Sequence, residues 1–194
     1  GVIYDQVIRT QTDFETLIAS PTWLDAKSVA LVGQFVYDEP DNSGIKIPAT
    51  VKQIHGFNSA KITITNFSYD STTAKGGLWY DTLPTTLDYS IRDLEVDCTG
   101  TVAIGFRNCT NLTNCTGTGT VTGTGTGYGF RDCTNLTNCT GTGTVTGAGS
   151  GNGFTGCTNL TNCTGTGTGT VTGYGFYDIT YASNCKDGGS STAM

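Results

Sequence analysis

The sequence is poor in charge and nearly free of histidine, and both shortages narrow its possible chemistry. Charged residues make up 13% of the 194 residues, and His55 is the single histidine. That charged share is about half of the usual one. The net charge of −6 argues against a nucleic-acid partner, because a phosphate-binding surface needs a basic face. With one histidine and no Cys-x-x-Cys pair, the sequence predicts no zinc or other metal site and no cofactor.

Long apolar runs are also lacking. No stretch of 18 consecutive apolar residues occurs, so we expect no membrane insertion. The chain also opens without the basic and then apolar segment of a signal peptide. Apolar residues nevertheless make up 36% of the chain and recur at regular intervals. That regularity predicts a backbone-bonded structure rather than a flexible linker.

One motif is repeated along the second half of the chain. The pattern Gly-Phe-x-x-Cys-Thr-Asn-Leu-Thr-Asn-Cys begins at Gly105, Gly129 and Gly153, and a fourth Gly-Phe pair begins at Gly175. The intervals between these pairs are 24, 24 and 22 residues, each filled by a Thr/Gly tract. Self-similarity at this period is typical of a stacked solenoid, because one repeat cannot bury its own apolar side chains.

The spacing inside a repeat predicts how the coil is built. Four apolar residues stand three apart: Phe130, Cys133, Leu136 and Cys139. Spacing of three indicates short strands joined by tight corners, each of which resets the side that faces inward. In the following tract, alternation turns the threonines outward and the glycines inward. Repeated inward glycine predicts a thin coil or a closely approaching backbone. The asparagines of successive repeats are expected to stack in ladders.

The eight cysteines allow two interpretations. Six of them fall in pairs at the same place in each repeat, and Cys98 and Cys185 flank the set. Vertical neighbours about 4.8 Å apart are within range of disulfides. Free cysteines stacked as small buried hydrophobes are the alternative that we favour, because each cysteine recurs in the apolar phase of the repeat.

The first part of the chain predicts a cap and irregular strands. Thr12 to Glu15 forms a capping box, and Pro21 ends the short amphipathic helix. Such a helix would cover the open end of the solenoid core. Short strands follow from Ala26, so the fold class is all-β. We predict a right-handed parallel β-helix with turns of about 24 residues, divided into an irregular part (1–97), a regular part (98–185) and a tail (186–194).

The chain resembles a known family of solenoids. The opening segments resemble the start of pectate-lyase-like right-handed β-helices, which are common in bacteriophage tail spikes and tail fibres: 14–18, 29–35, 45–48, 54–56 and 60–64. The Gly-Phe-x-x-Cys turns resemble phage and prophage β-helix repeats. The resemblance implies a parallel homotrimer, assembled with other tail proteins, that binds a glycan or protein receptor on a bacterial surface. It also implies synthesis in the bacterial cytoplasm and a place in the virion, with an extracellular or cell-surface location as the alternative.

A second resemblance competes with the first. The segment from Gly129 to Leu136 is similar to the repeat of treponemal-type leucine-rich surface proteins. Glycine, however, stands where that repeat needs large aliphatic residues, and the first 97 residues carry no such repeat. The β-helix is therefore the preferred interpretation.

The sequence shows no enzyme site. The charged residues between Cys98 and Phe176 are Arg107, Arg131 and Asp132, whereas glycoside cleavage uses two carboxylates about 5–10 Å apart. Acidic residues elsewhere could pair or meet between subunits: Asp70, Asp81, Asp88, Asp93, Glu95 and Asp97. Nothing singles out two of them, so we interpret them as solvated and predict no catalytic residue. His55 is interpreted as a turn or core histidine.

Three functions remain open. The first is attachment by a tail fibre. Its candidate ligand-binding residues are Trp79 and Tyr80, because an exposed apolar ring face can stack on a sugar. Packing of these two rings against the coil is the alternative. The second is a polysaccharide-degrading spike with a site between subunits. The third is an ice-binding or adhesive solenoid, because outward Thr-x-Thr rows would present hydroxyl and methyl groups on a flat lattice.

Overall fold

The structure is a computed structural model that describes residues 1–38, 43–67 and 75–188. Over these residues the chain forms a right-handed parallel β-helix of about seven turns, which confirms the predicted fold class. The described residues contain one α-helix, α1 (Gln11–Ala19), a short 3-10 helix (Trp23–Asp25) and 17 strands in one sheet. The strands are β1 (Gln6–Ile8), β2 (Ser28–Asp38), β3 (Ile45–Lys46), β4 (Gln53–Phe67), β5 (Leu78–Trp79), β6 (Ser90–Arg92), β7 (Glu95–Arg107), β8 (Thr110–Thr113), β9 (Thr116–Arg131), β10 (Thr134–Thr137), β11 (Thr140–Val145), β12 (Gly149–Thr155), β13 (Thr158–Thr161), β14 (Thr164–Thr168), β15 (Phe176–Tyr177), β16 (Thr180–Ser183) and β17 (Lys186–Asp187).

Parallel pairing arranges the strands in three faces. The first face contains β1, the start of β2 and of β4, and then β6, β8, β10, β13 and β16. The second contains the ends of β2 and β4, the starts of β7 and β9, and then β11, β14 and β17. The third contains β3, β5, the ends of β7 and β9, and then β12 and β15. The division of the chain at residues 97 and 185 stays a prediction; β7 runs across the first limit.

The corners between faces are built from residues in the left-handed conformation. Three columns of corner residues repeat down the coil with positive φ: Asn108/Asp132/Gly156/Asp178, Asn111/Asn135/Asn159/Tyr181 and Asn114/Asn138/Asn162/Asn184. Asn, Asp and Gly tolerate this region better than other residues. In the middle column the side-chain amide of Asn135 donates to Asn111, and that of Asn159 donates to Asn135, both at 3.1 Å. The predicted tight corners and this asparagine ladder are therefore confirmed.

The core of the regular turns is a set of stacked columns. The rings of Phe106, Phe130, Phe154 and Phe176 stack with centroids 5.0, 4.9 and 5.1 Å apart and planes within 6°. Leu112, Leu136 and Leu160 form a second column in register. These side chains are at most 1% exposed, so identical residues of successive turns fill one continuous interior.

All eight cysteines are free thiols, and seven of them are buried. Each buried thiol of the repeats lies near backbone carbonyls; the Cys139 sulfur, for example, lies 3.5 and 3.6 Å from the carbonyl oxygens of Thr137 and Leu112, either of which can accept its one hydrogen. Hydrogen bonding to Cys115 raises the pKa of Cys139 to about 12. The prediction of stacked free cysteines, rather than disulfides, is confirmed.

The N-terminal cap differs from the prediction in one detail. Thr10, not Thr12, is the N-cap of α1: its backbone is extended and its hydroxyl accepts the Asp13 N–H at 3.1 Å. Thr12 lies inside the helix, whose last residue, Ala19, precedes Pro21 as predicted. The Phe14 ring stacks on Phe35 of β2 at 4.9 Å, so the helix packs on the first turn.

A side chain of the same helix pairs with the edge of the sheet. The Gln11 amide donates to the Val36 carbonyl at 2.7 Å and accepts the Val36 N–H at 3.0 Å. Gln11 therefore satisfies one edge residue as a neighbouring strand would. Such pairing protects an exposed strand edge.

Candidate functional site

The regular turns carry a repeating grid of threonines on the second face, which we call the threonine array. Its members are Thr116, Thr118 and Thr120 of β9, Thr140, Thr142 and Thr144 of β11, and Thr164, Thr166 and Thr168 of β14. Strand pairing places equivalent threonines directly above one another in all three rows. All nine are half-buried or exposed, whereas the glycines between them are buried.

The glycines between the threonines let the second face approach the third closely. A Cβ at Gly143 would lie 2.2 Å from the carbonyl oxygens of Asn152 and Gly127, and a Cβ at Gly141 would lie 2.5 Å from that of Gly153. The strands of the second and third faces therefore pack backbone against backbone. This confirms the predicted thin coil.

Charged residues lie on the turns beside the threonine array. Lys61 binds Glu95 at 3.1 Å and Asp97 at 3.4 Å. In the register of the second face, Glu95 and Asp97 stand next to Thr116 and Thr118. On the other side, Lys186 stands next to Thr164. The nine threonines thus form a neutral patch between charged rows.

Three other acidic residues that the sequence singled out also have partners. Asp81 binds Lys46 at 3.4 Å, Asp88 binds Lys52 and Thr86, and Asp93 accepts from the Asn114 amide at 3.0 Å. Asp70 lies outside the described residues. Of the candidate carboxylates that the structure describes, Glu95 and Asp97 share one partner, Lys61. Among the described residues, no group of three or more His, Cys, Asp or Glu could hold a metal ion.

Trp79 and Tyr80 are buried, which agrees with packing against the coil, the alternative role that the sequence left open for these two rings. Trp79 is 5% exposed: its indole N–H donates to the Ser43 carbonyl at 2.8 Å, and the Lys46 ammonium lies 5.5 Å from its ring. Tyr80 is 3% exposed and donates to the Val51 carbonyl at 2.7 Å. Ligand binding by these residues stays a prediction, and their observed role is packing.

Trp79 nevertheless belongs to an outward column of the third face. Register places Lys46, Trp79, Arg107, Arg131, Thr155 and Tyr177 one above another. We define the tyrosine–arginine cluster as two pairs on the third face, Tyr128 with Arg131 and Tyr174 with Tyr177. The turn that carries Asn152 and Thr155 lies between the two pairs. Arg131 lies 5.6 Å from the Tyr128 ring, and the rings of Tyr174 and Tyr177 stack at 5.6 Å. The sequence analysis did not find this cluster. Within each pair the two residues stand three apart, but the two pairs are separated by 46 residues, so nothing in the sequence links them.

His55 lies in a chain of hydroxyl groups that the sequence did not reveal. Its Nδ1 is 2.6 Å from the Tyr4 hydroxyl and its Nε2 is 3.1 Å from the Ser90 hydroxyl. These partners are 51 and 35 residues away in sequence. Burial, and then the positive charge of Arg92, lower the pKa of His55 to about 4 against the opposing effect of Asp93. Such a histidine is neutral at pH 7 and a weak base, so the arrangement is poorly matched to general-base catalysis near neutral pH.

The low pKa of His55 predicts a loss of stability in acid. The His55 imidazole takes up its proton near pH 6.5 in the unfolded chain but only near pH 4 in the folded chain. The contribution of neutral His55 to the free energy of unfolding is therefore complete above pH 6.5 and is lost as the pH falls to 4. We expect the wild-type chain to lose about 1–3 kcal/mol more than His55→Gln between pH 7 and pH 4.5. Urea unfolding of both proteins at the two pH values measures this difference. Equal losses, or a His55 pKa near 6.5 by NMR, would contradict the assignment.

No helix of the described residues is long and apolar enough to cross a membrane. No family model, curated protein or solved structure matches the chain. By its strand pairing, the structure is a parallel β-helix, with the threonine array on its second face and the tyrosine–arginine cluster on its third.

Proposed function

We propose that this chain is an attachment segment of a bacteriophage tail fibre or tail spike. In this proposal it acts without catalysis, as a homotrimer in the virion, and binds a glycan or protein receptor on a bacterial surface. The observation that carries the proposal is the tyrosine–arginine cluster on the side of a regular rod. Tyrosine and arginine are the residues that most often dominate binding energy at protein interfaces.

The geometry of the rod supports assembly of parallel copies. Three parallel rods around a three-fold axis place the same turn of each chain at the same height, so one patch can contact its neighbour in a closed ring. Tyr177 is 42% exposed and lies at the C-terminal end of the cluster. Its ring is held by Tyr174, which lowers the entropy lost on binding. We assign the contact between subunits to this cluster.

The assembly is tested by solution mass, measured by light scattering during size-exclusion chromatography. We expect the wild-type chain to have close to three times the 20.3 kDa of one chain. Tyr177→Lys should be monomeric, because it places a charge in the contact. Tyr181→Lys is the matched control, because Tyr181 is 77% exposed on the first face, and it should remain trimeric. A wild-type monomer over a wide concentration range would contradict the trimer.

Attachment itself is tested on cells. Fluorescently labelled wild-type protein should be retained by some members of a panel of bacterial strains. Purified surface polysaccharide should compete if the receptor is a glycan, and protease treatment of the cells should remove binding if it is a protein. Absence of retention on every strain would count against attachment while leaving the mass measurement unaffected.

A further inference from the structure

The threonine array repeats in two directions. Along a strand, alternate residues point outward and are separated by roughly 6.6–6.8 Å; between strands the repeat is roughly 4.8 Å. Because the pairing is in register over three turns, the nine side chains form a rectangular lattice rather than a scattered patch. Both spacings lie close to repeats between oxygen atoms on faces of hexagonal ice.

The chemistry of the array is uniform. Each threonine presents one hydroxyl group, which both donates and accepts, and one methyl group. Branching at Cβ restricts χ1, so equivalent side chains can hold the same orientation. The array contains no charged residue, although Glu95, Asp97 and Lys186 lie beside it. Charged groups would orient water around themselves, whereas a neutral grid leaves a water layer free to follow the hydroxyl spacing.

The backing of the array is rigid. Buried glycines bring the second face against the backbone of the third, and the stacked Phe130 and Phe154 rings fill the space beside Gly117 and Gly141. Sheets normally twist, and stacking against another sheet is one of the few ways to keep them flat. The hydroxyl positions are therefore held in place before any ligand arrives.

We propose that the threonine array binds an ordered water lattice, and ice in particular. The competing occupant is the array of a second copy. From the strand spacings the array covers roughly 250 Å², whereas a stable interface buries about 800 Å² on each partner. Threonine is also under-represented among the residues that dominate such interfaces. Area and composition thus favour a water lattice, and the inference does not depend on the attachment function.

The test uses the whole chain and three proteins. Thr142, at the centre of the array, is replaced by Lys, which raises a charge above the plane. Thr161→Lys on the first face is the matched control, because Thr161 is exposed and lies outside the array. Circular dichroism and thermal midpoints establish that both variants are folded. Each protein is then included in a slowly growing ice crystal, and its partition into ice and its effect on crystal shape are measured.

We expect the wild-type chain and Thr161→Lys to be incorporated into ice and to produce faceted crystals. Thr142→Lys should lose at least about tenfold in partition, which corresponds to about 1.4 kcal/mol of binding free energy. Exclusion of the folded wild-type chain from ice would overturn the proposal. Equal incorporation of Thr142→Lys would overturn it as well, because the binding surface would then lie elsewhere. A wild-type oligomer that Thr142→Lys dissociates, without incorporation into ice, would instead identify the array as a contact between copies.

Discussion

Gly143→Ala should destabilise the chain by at least about 3 kcal/mol, at the upper end of the usual cost of overpacking. The added methyl group would lie 2.2 Å from two carbonyl oxygens, those of Asn152 and Gly127. Both belong to hydrogen-bonded strands of the third face, so neither can move without breaking the ladder. The two faces would have to separate along their length.

The control for this variant is the next residue along the same strand. Thr144 points outward, and Thr144→Ala removes only surface atoms and some strand propensity, for a cost below about 1 kcal/mol. Urea unfolding followed by circular dichroism measures both variants. A Gly143→Ala protein that unfolds within about 0.5 kcal/mol of the wild type would show that the faces are not in backbone contact.

Phe130→Ala should cost about 3–5 kcal/mol, the usual range for removal of a buried phenylalanine ring. Phe130 is fully buried and stacks between Phe106 at 5.0 Å and Phe154 at 4.9 Å. Its removal leaves a cavity in the middle of the column, because the backbone ladder holds the neighbouring turns at a fixed spacing. The expected drop in the thermal midpoint is roughly 6–20 °C for a chain of this length.

Two further variants separate the loss of volume from other effects. Phe130→Leu keeps most of the volume and should cost less than Phe130→Ala. Phe57→Ala removes a ring that is 43% exposed and should change the midpoint little. If Phe130→Ala and Phe57→Ala shifted the thermal midpoint equally, the phenylalanine column would not be the main packing element of the regular turns.

The order of the regular turns follows from the sequence alone. A period of 24 residues brings each residue beside its own copy, so the neighbours of Phe130 or Asn135 could be named without coordinates. The inward side of the Phe, Cys and Leu residues followed from their spacing of three. The close approach of two backbones followed from the inward glycines, because no other residue would leave that space empty.

The irregular turns had to be seen in three dimensions. His55 meets Tyr4 and Ser90 because the lengths of the first coils differ, so their register cannot be counted from a period. Trp79 is covered through the backbone of Ser43 and the side chain of Lys46, which lie in a turn that carries no repeat. The tyrosine–arginine cluster likewise arises from substitutions within the repeat. Stacking places its two pairs on the same face, on either side of the turn that carries Asn152 and Thr155.

The repeat alone predicts the period, the coil and the inward column of the regular turns, because each copy must bury the same side chains against the next. The N-cap at Thr10, the partners of His55 and the burial of Trp79 are seen only in the folded chain. Hydrogen-bond register places identical residues beside one another only where successive turns have equal length. Where the lengths differ, packing and loop closure determine the contacts.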